Sequence, residues 1–229
     1  MKLMPSVRTA ALIVILFAFG AVAHAAPITY VQTGIASGSI GGTSFTDVLV
    51  QVTVIGDTTN VISDPFEEFA CPFCFANGSL GTTVDIFGIG IATVTDPTGI
   101  WVFGQPVDLD DDPTTPEMPG VVIGTVDDPP ALTSFTGLGG VLNEAFLDYD
   151  LRTSIGPITA MPGGVFYPPD LFVNTTLGVL RFRSNITPDM EGTFTATVAP
   201  VPVPEPATLL LLGSGVAVLA RRRRIGARR

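Results

Sequence analysis

The chain has 229 residues, 46% of them hydrophobic and 14% charged, with 21 acids, 11 bases and a single histidine. The bases sit at the two ends: between residues 26 and 200 there are three arginines (Arg152, Arg181, Arg183) against 20 acids, a net of −17, and neither lysine nor histidine. That segment holds no Ser-His-Asp or Cys-His apparatus, Ser-Lys dyad, Schiff-base lysine or imidazole zinc site. Its field disfavours nucleic acid and anionic lipid and favours divalent cations.

The first 25 residues read as a signal peptide. Lys2 and Arg8 make a basic start, Ala10 to Val22 is apolar, and Ala23-His24-Ala25 fits the small-x-small rule for signal peptidase. Cleavage after Ala25 is expected, which removes the only histidine and leaves an N-terminal signal helix outside the mature fold.

Residues 26–200 have the size of one domain, with no internal boundary. Short β-branched runs alternate with Gly, Pro, Asn and Asp and carry no 3.6-residue stripe, so the expected class is all-β: an antiparallel sandwich of about eight or more strands, or a related barrel. In chain order the expected strands are Ile28 to Ile35, Val48 to Val54, Thr83 to Thr95, Ile100 to Phe103, Gly120 to Val126, Leu147 to Arg152, Leu177 to Arg183 and Thr193 to Val198. Val48, Val50, Val52 and Val54 share an inward face, as do Phe194, Ala196 and Val198. Phe87, Ile89 and Ile91 alternate with Gly88 and Gly90, which permit a bulge or close sheet contact. Leu147, Tyr149 and Leu151 are expected opposite Asp148, Asp150 and Arg152.

Cys71-Pro72-Phe73-Cys74 has the spacing of a thiol-disulfide oxidoreductase, but Glu67 and Glu68 precede it and Asn77-Gly78-Ser79, read as a turn, follows in place of a helix. In an exported chain the pair is expected to close a structural disulfide. Further along, the carboxylates of Asp108, Asp110 and Asp112 can converge on calcium with carbonyls completing the shell. The loop is no EF-hand, since Pro113 stands where Gly is required; a solvated acidic loop is the competing reading, and no other cofactor is expected. Three Asn-x-Ser/Thr triplets, at Asn77, Asn174 and Asn185, match the glycosylation pattern in a Thr-rich chain where chance suffices. Trp101, Phe103, Tyr149, Phe166 and Tyr167 would stack on sugar if exposed, though their alternating placement argues for core. A pair of carboxylates across a sugar site keeps a glycan hydrolase or lyase in view.

Residues 201–229 have three parts: a Pro-rich tether containing Val203-Pro204-Glu205-Pro206, an apolar run from Ala207 to Ala220, and the basic cluster Arg221, Arg222, Arg223 and Arg224. The prolines keep the tether extended and open to a processing enzyme. The run is short of the roughly 20 residues a stable span needs, which suits transient insertion into the inner membrane, arginines on the cytoplasmic side.

This order of Pro-Glu-Pro core, short apolar helix and arginines resembles the PEP-CTERM sorting signal of exported bacterial proteins. The resemblance implies recognition by an exosortase, a membrane cysteine protease or transpeptidase that removes the tail and releases or attaches the body. It implies a surface or matrix location and an exopolysaccharide-producing host. More loosely, Thr33 to Gly38, Phe45-Thr46-Asp47, Gly56-Asp57-Thr58 and Asp148 to Pro157 resemble the β-rich ectodomains that accompany such signals. These imply a structural or interaction role, with a carbohydrate-binding module as the alternative, and carry over no catalytic residues.

Overall fold

The structure is a computed structural model that describes residues 26–65, 71, 73–107, 118–126, 132, 135–160, 165–166, 172–183 and 192–200. The chain divides into one unit ending at Ala199 and another from Pro200 to Arg229.

The described part of the first unit is all-β. Its strands are β1 (Pro27–Ile40), β2 (Thr43–Asp57), β3 (Ile62–Ser63), β4 (Cys74–Gly78), β5 (Gly81–Ile86), β6 (Gly90–Thr93), β7 (Thr98–Val107), β8 (Met118–Val126), β9 (Phe135–Leu142), β10 (Ile155–Thr159), β11 (Val165–Phe166), β12 (Phe172–Thr175), β13 (Gly178–Phe182) and β14 (Gly192–Val198). The eight-stranded sheet runs β10-β14-β1-β2-β5-β6, with β12 and β13 joined through β1; the six-stranded sheet runs β11-β9-β8-β7-β4-β3. The pairings within both sheets are antiparallel.

The long β1 organises the first sheet. Its alternation buries Ile28, Tyr30 and Gln32 and turns Thr29, Val31 and Thr33 outward. A register shift between Ala36 and Gly38 breaks the pairing with β2. Before that shift β1 pairs with β14, and after it with β13. On β2, Val50, Val52 and Val54 are fully buried and Val48 packs at the margin, as the alternation of valines demands. At one end the sheet closes on itself: Val94 beyond β6 bridges Thr175 of β12. Thr95 N–H donates to Asn174 O at 2.8 Å and Thr176 N–H to Thr93 O at 2.9 Å. Strands β1, β2, β5, β6, β12 and β13 thus form a ring there.

The six-stranded sheet is apolar on both faces, because Ile100-Trp101-Val102-Phe103 has no polar alternation to offer water. Ile100, Val102, Val121, Ile123, Leu138 and Val141 join the inward residues of the first sheet in one core. On the other face Trp101, Phe103, Val122 and Val126 pack with Ala76, Leu132, Cys71 and Cys74. Gly78, Gly99, Gly124 and Gly137 lie in register across β4, β7, β8 and β9. At Gly99 a Cβ would stand 3.0 Å from Trp101 Cη2, so glycine there leaves room for the indole. The indole Nε1–H donates to Leu132 O at 3.0 Å, satisfying the one polar group of a fully buried Trp.

Three sequence expectations are corrected. Leu147 to Arg152 is not a strand: a 3-10 turn at Glu144–Phe146, capped by Asn143 Oδ1 accepting from Ala145 N–H, leads into turns. Leu147 is exposed while Phe146, Tyr149 and Leu151 are buried, and Leu151 takes φ of +60°. Thr83 to Thr95 is a hairpin, not one strand, because Gly88 and Gly90 adopt φ of +86° and +132° and turn the chain. Phe87 and Ile91 point to solvent, and Val84, Ile86 and Ala92 form the inward face. Asn77-Gly78-Ser79 is not a turn but the end of β4 and the residue after it, with Asn77 fully buried.

Candidate functional site

The interior between the sheets carries an unusual polar group. Tyr30 Oη, fully buried on β1, donates to Leu151 O at 2.7 Å and accepts from Asn77 Nδ2 on β4 at 2.9 Å. Gln32 Nε2, two residues along β1, donates to Gly140 O of β9 at 3.4 Å. These contacts join strands of opposite sheets across the apolar core. Among the described residues, Gln32 Oε1, Asn77 Oδ1 and Tyr149 Oη find no hydrogen-bond partner. Burial raises the phenols of Tyr30 and Tyr149 well above the ordinary tyrosine range, with nearby Asp150 adding to both. Both phenols are held neutral and shielded from solvent.

Arg152, expected on the outward face of a strand, instead donates from Nη2 to Val61 O at 2.9 Å and lies 5.8 Å from the centre of the Phe75 ring. Asp150 Oδ1 accepts from Arg152 N–H at 2.9 Å, a local turn contact. Arg181 lies 5.8 Å from the centre of the Phe172 ring.

Cys71 and Cys74 are joined, with Cα atoms 5.3 Å apart. Both are buried against Trp101 and Ala76, while Phe73 between them is exposed. Both cysteines are buried, unlike the exposed first thiol of a thiol-disulfide oxidoreductase.

The other expected site residues divide clearly. Trp101, Phe103 and Tyr149 are buried, so they offer no sugar platform; the side chains of Phe166 and Tyr167 lie outside the described residues. Asn77 is buried and bonded to Tyr30, which removes it as a glycosylation acceptor. Asn174 is exposed, but Asp96 Oδ1 and Oδ2 both accept from its Nδ2, at 3.0 and 3.1 Å. Asn185 lies outside the described residues, as do Asp108, Asp110 and Asp112, Ala23 and Ala25, and the whole tail with Val203 to Pro206 and Arg221 to Arg224. Among the described residues no three His, Cys, Asp or Glu side chains gather to hold a metal ion. Sequence reasoning missed the Tyr30-Asn77 link. Asn77 was hidden by its turn-like neighbours, which read as a turn and not as the end of a strand.

No curated protein and no solved structure matches the chain. The family model for the PEP-CTERM protein-sorting motif matches residues 202–224, spanning the Pro-Glu-Pro core, the apolar run and Arg221 to Arg224. The chain therefore carries a PEP-CTERM sorting signal, and it is an exported protein sorted by an exosortase to the cell surface or the extracellular space.

Proposed function

We propose that residues 26–200 form a non-catalytic β-sandwich ectodomain with a structural or interaction role in the extracellular matrix, linked to exopolysaccharide. The carrying observation is the match of residues 202–224 to the sorting motif, joined to a body without histidine or lysine. The sandwich reading is supported by the single core to which both sheets contribute and by the Tyr30-Asn77 and Gln32-Gly140 hydrogen bonds between them. In this reading signal peptidase removes residues 1–25, and the apolar run inserts transiently in the inner membrane until exosortase cuts near Val203-Pro204-Glu205-Pro206. Calcium at Asp108, Asp110 and Asp112 would draw that acidic segment together.

The test is to express the full chain in its host with and without the exosortase and to fractionate the cells. The proposal expects the body in the envelope or medium without its tail when the enzyme is present, and a tail-bearing form held with the inner membrane when it is absent. Identical size and distribution in the two strains would overturn it.

A further inference from the structure

The outward face of the eight-stranded sheet carries three cross-strand rows rich in threonine. One cross-strand row reads Thr159, Thr193, Thr33, Gln51, Asp85 and Ile91 across β10, β14, β1, β2, β5 and β6. The next reads Thr195, Val31, Thr53, Thr83 and Thr93. A third reads Thr197, Thr29, Ile55 and Gly81. These residues are half-buried or exposed, and on β1, β2, β5, β6 and β14 they alternate with buried core positions. Neighbouring strands lie about 4.8 Å apart and alternate residues about 6.8 Å apart along a strand, so the hydroxyls form a two-dimensional array. Thr33 Oγ1 and Thr193 Oγ1 share a hydrogen bond of 2.7 Å, tying part of it together. Leu49 and Phe87 extend the array at one end, Phe87 being 73% exposed.

We infer that this face is the docking surface for an uncharged polysaccharide. The inference rests on the matrix reading above and names the chemistry of its ligand. Charge decides among occupants. Asp85 is the only ionised group in the three rows, in a body that carries −17 between residues 26 and 200. A polyanion would be repelled by that body, and a polycation would find Asp85 alone in the three rows. A second copy would bring a second charge of −17 to the contact. A neutral polyhydroxylated chain meets none of these costs. Threonine hydroxyls donate and accept toward sugar hydroxyls, and Phe87, Leu49 and Ile91 offer apolar contact to the faces of sugar rings.

The test uses the processed protein recovered from its host and follows its retardation on immobilised dextran, mannan, galactan and xylan, on the polyuronate alginate, and on polysaccharide extracted from the host's matrix. Thr53→Glu and Thr195→Glu place a charge in the middle of the array, at half-buried positions on the outward face. Leu147→Glu adds the same charge at an exposed position outside the three rows. Thermal midpoints check that each variant is folded. The expected result is retardation by at least one neutral polymer, weakened about tenfold or more in Thr53→Glu and Thr195→Glu and unchanged in Leu147→Glu. Retention by neutral polymer that survives both array variants would overturn the face and leave the matrix reading standing. Binding to alginate alone would overturn the uncharged ligand. Concentration-dependent self-association abolished by Thr53→Glu would assign the face to a second copy. No retention on any support, the host's own polysaccharide included, would remove the matrix reading together with this one.

Discussion

In the body, a residue acts through register and burial: Trp101 matters because Gly99 makes room for its indole and Leu132 O accepts its N–H. In the tail, residues act through their order along the chain: Pro204-Glu205-Pro206, then an apolar run, then Arg221 to Arg224. The body spreads its specification over many weak contacts between distant strands, and the tail concentrates it in a motif that a processing enzyme reads. Damage to one should leave the other working, and that separability can be tested in both directions.

The largest expected effect is in the tail. Replacing Pro204, Glu205 and Pro206 together by alanine should abolish tail removal while leaving the body's melting temperature unchanged; gel mobility and calorimetry report the two readouts. Unaltered processing would show that the enzyme does not read this motif. In the body, Trp101→Ala should cost about 3–5 kcal/mol, because a fully buried aromatic side chain leaves a cavity over the glycine row. Denaturant titration measures that loss, and any folded fraction should still be processed. Cys71→Ser with Cys74→Ser should cost about 2 kcal/mol, the closure entropy of so short a loop. A stability loss of that size in denaturant titration, with export unaffected, would fit a structural disulfide.

The smallest effect concerns the buried phenols. Above pH about 10 the unfolded chain ionises its tyrosines while Tyr30 and Tyr149 stay neutral in the fold. The native state then binds more protons than the unfolded state, so stability is fully present below that pH and falls as the pH rises further. Tyr149→Phe should leave stability near pH 7 within about 1 kcal/mol, because its hydroxyl finds no hydrogen-bond partner among the described residues. It should also reduce the alkaline loss, which denaturation followed against pH would reveal.

The difference between body and tail also explains what could be read from sequence. The sorting motif was legible because its meaning lies in local order. Val50, Val52 and Val54 were legible because a period of two survives in any antiparallel sheet with one wet face. The hairpin at Phe87-Gly88-Ile89 was not, since a glycine between apolar residues serves equally as bulge or turn and only its φ decides. Strand β9, with Gly137, Gly139 and Gly140, hid because glycine weakens the strand pattern. Leu147, Tyr149 and Leu151 imitated a strand because apolar and charged residues alternate in sequence through a turn, where Leu147 is in fact exposed. The sheet edges show a further device that no local window contains. Strands β3 and β11 are two residues each, β10 carries Pro157, and β6 is closed off through Val94 and the Asp96-Asn174 contact. Among the described residues, each leaves little free edge for another chain to extend.

The most direct test of the central claim is the intact mass of the protein recovered from the envelope and medium of its host. The account predicts a chain that begins at Ala26 and stops near Val203-Pro204-Glu205-Pro206, with any excess mass reporting a group attached at that cut. A mass that runs through to Arg229 in both fractions would contradict it, because the tail would then persist where an exosortase should have removed it.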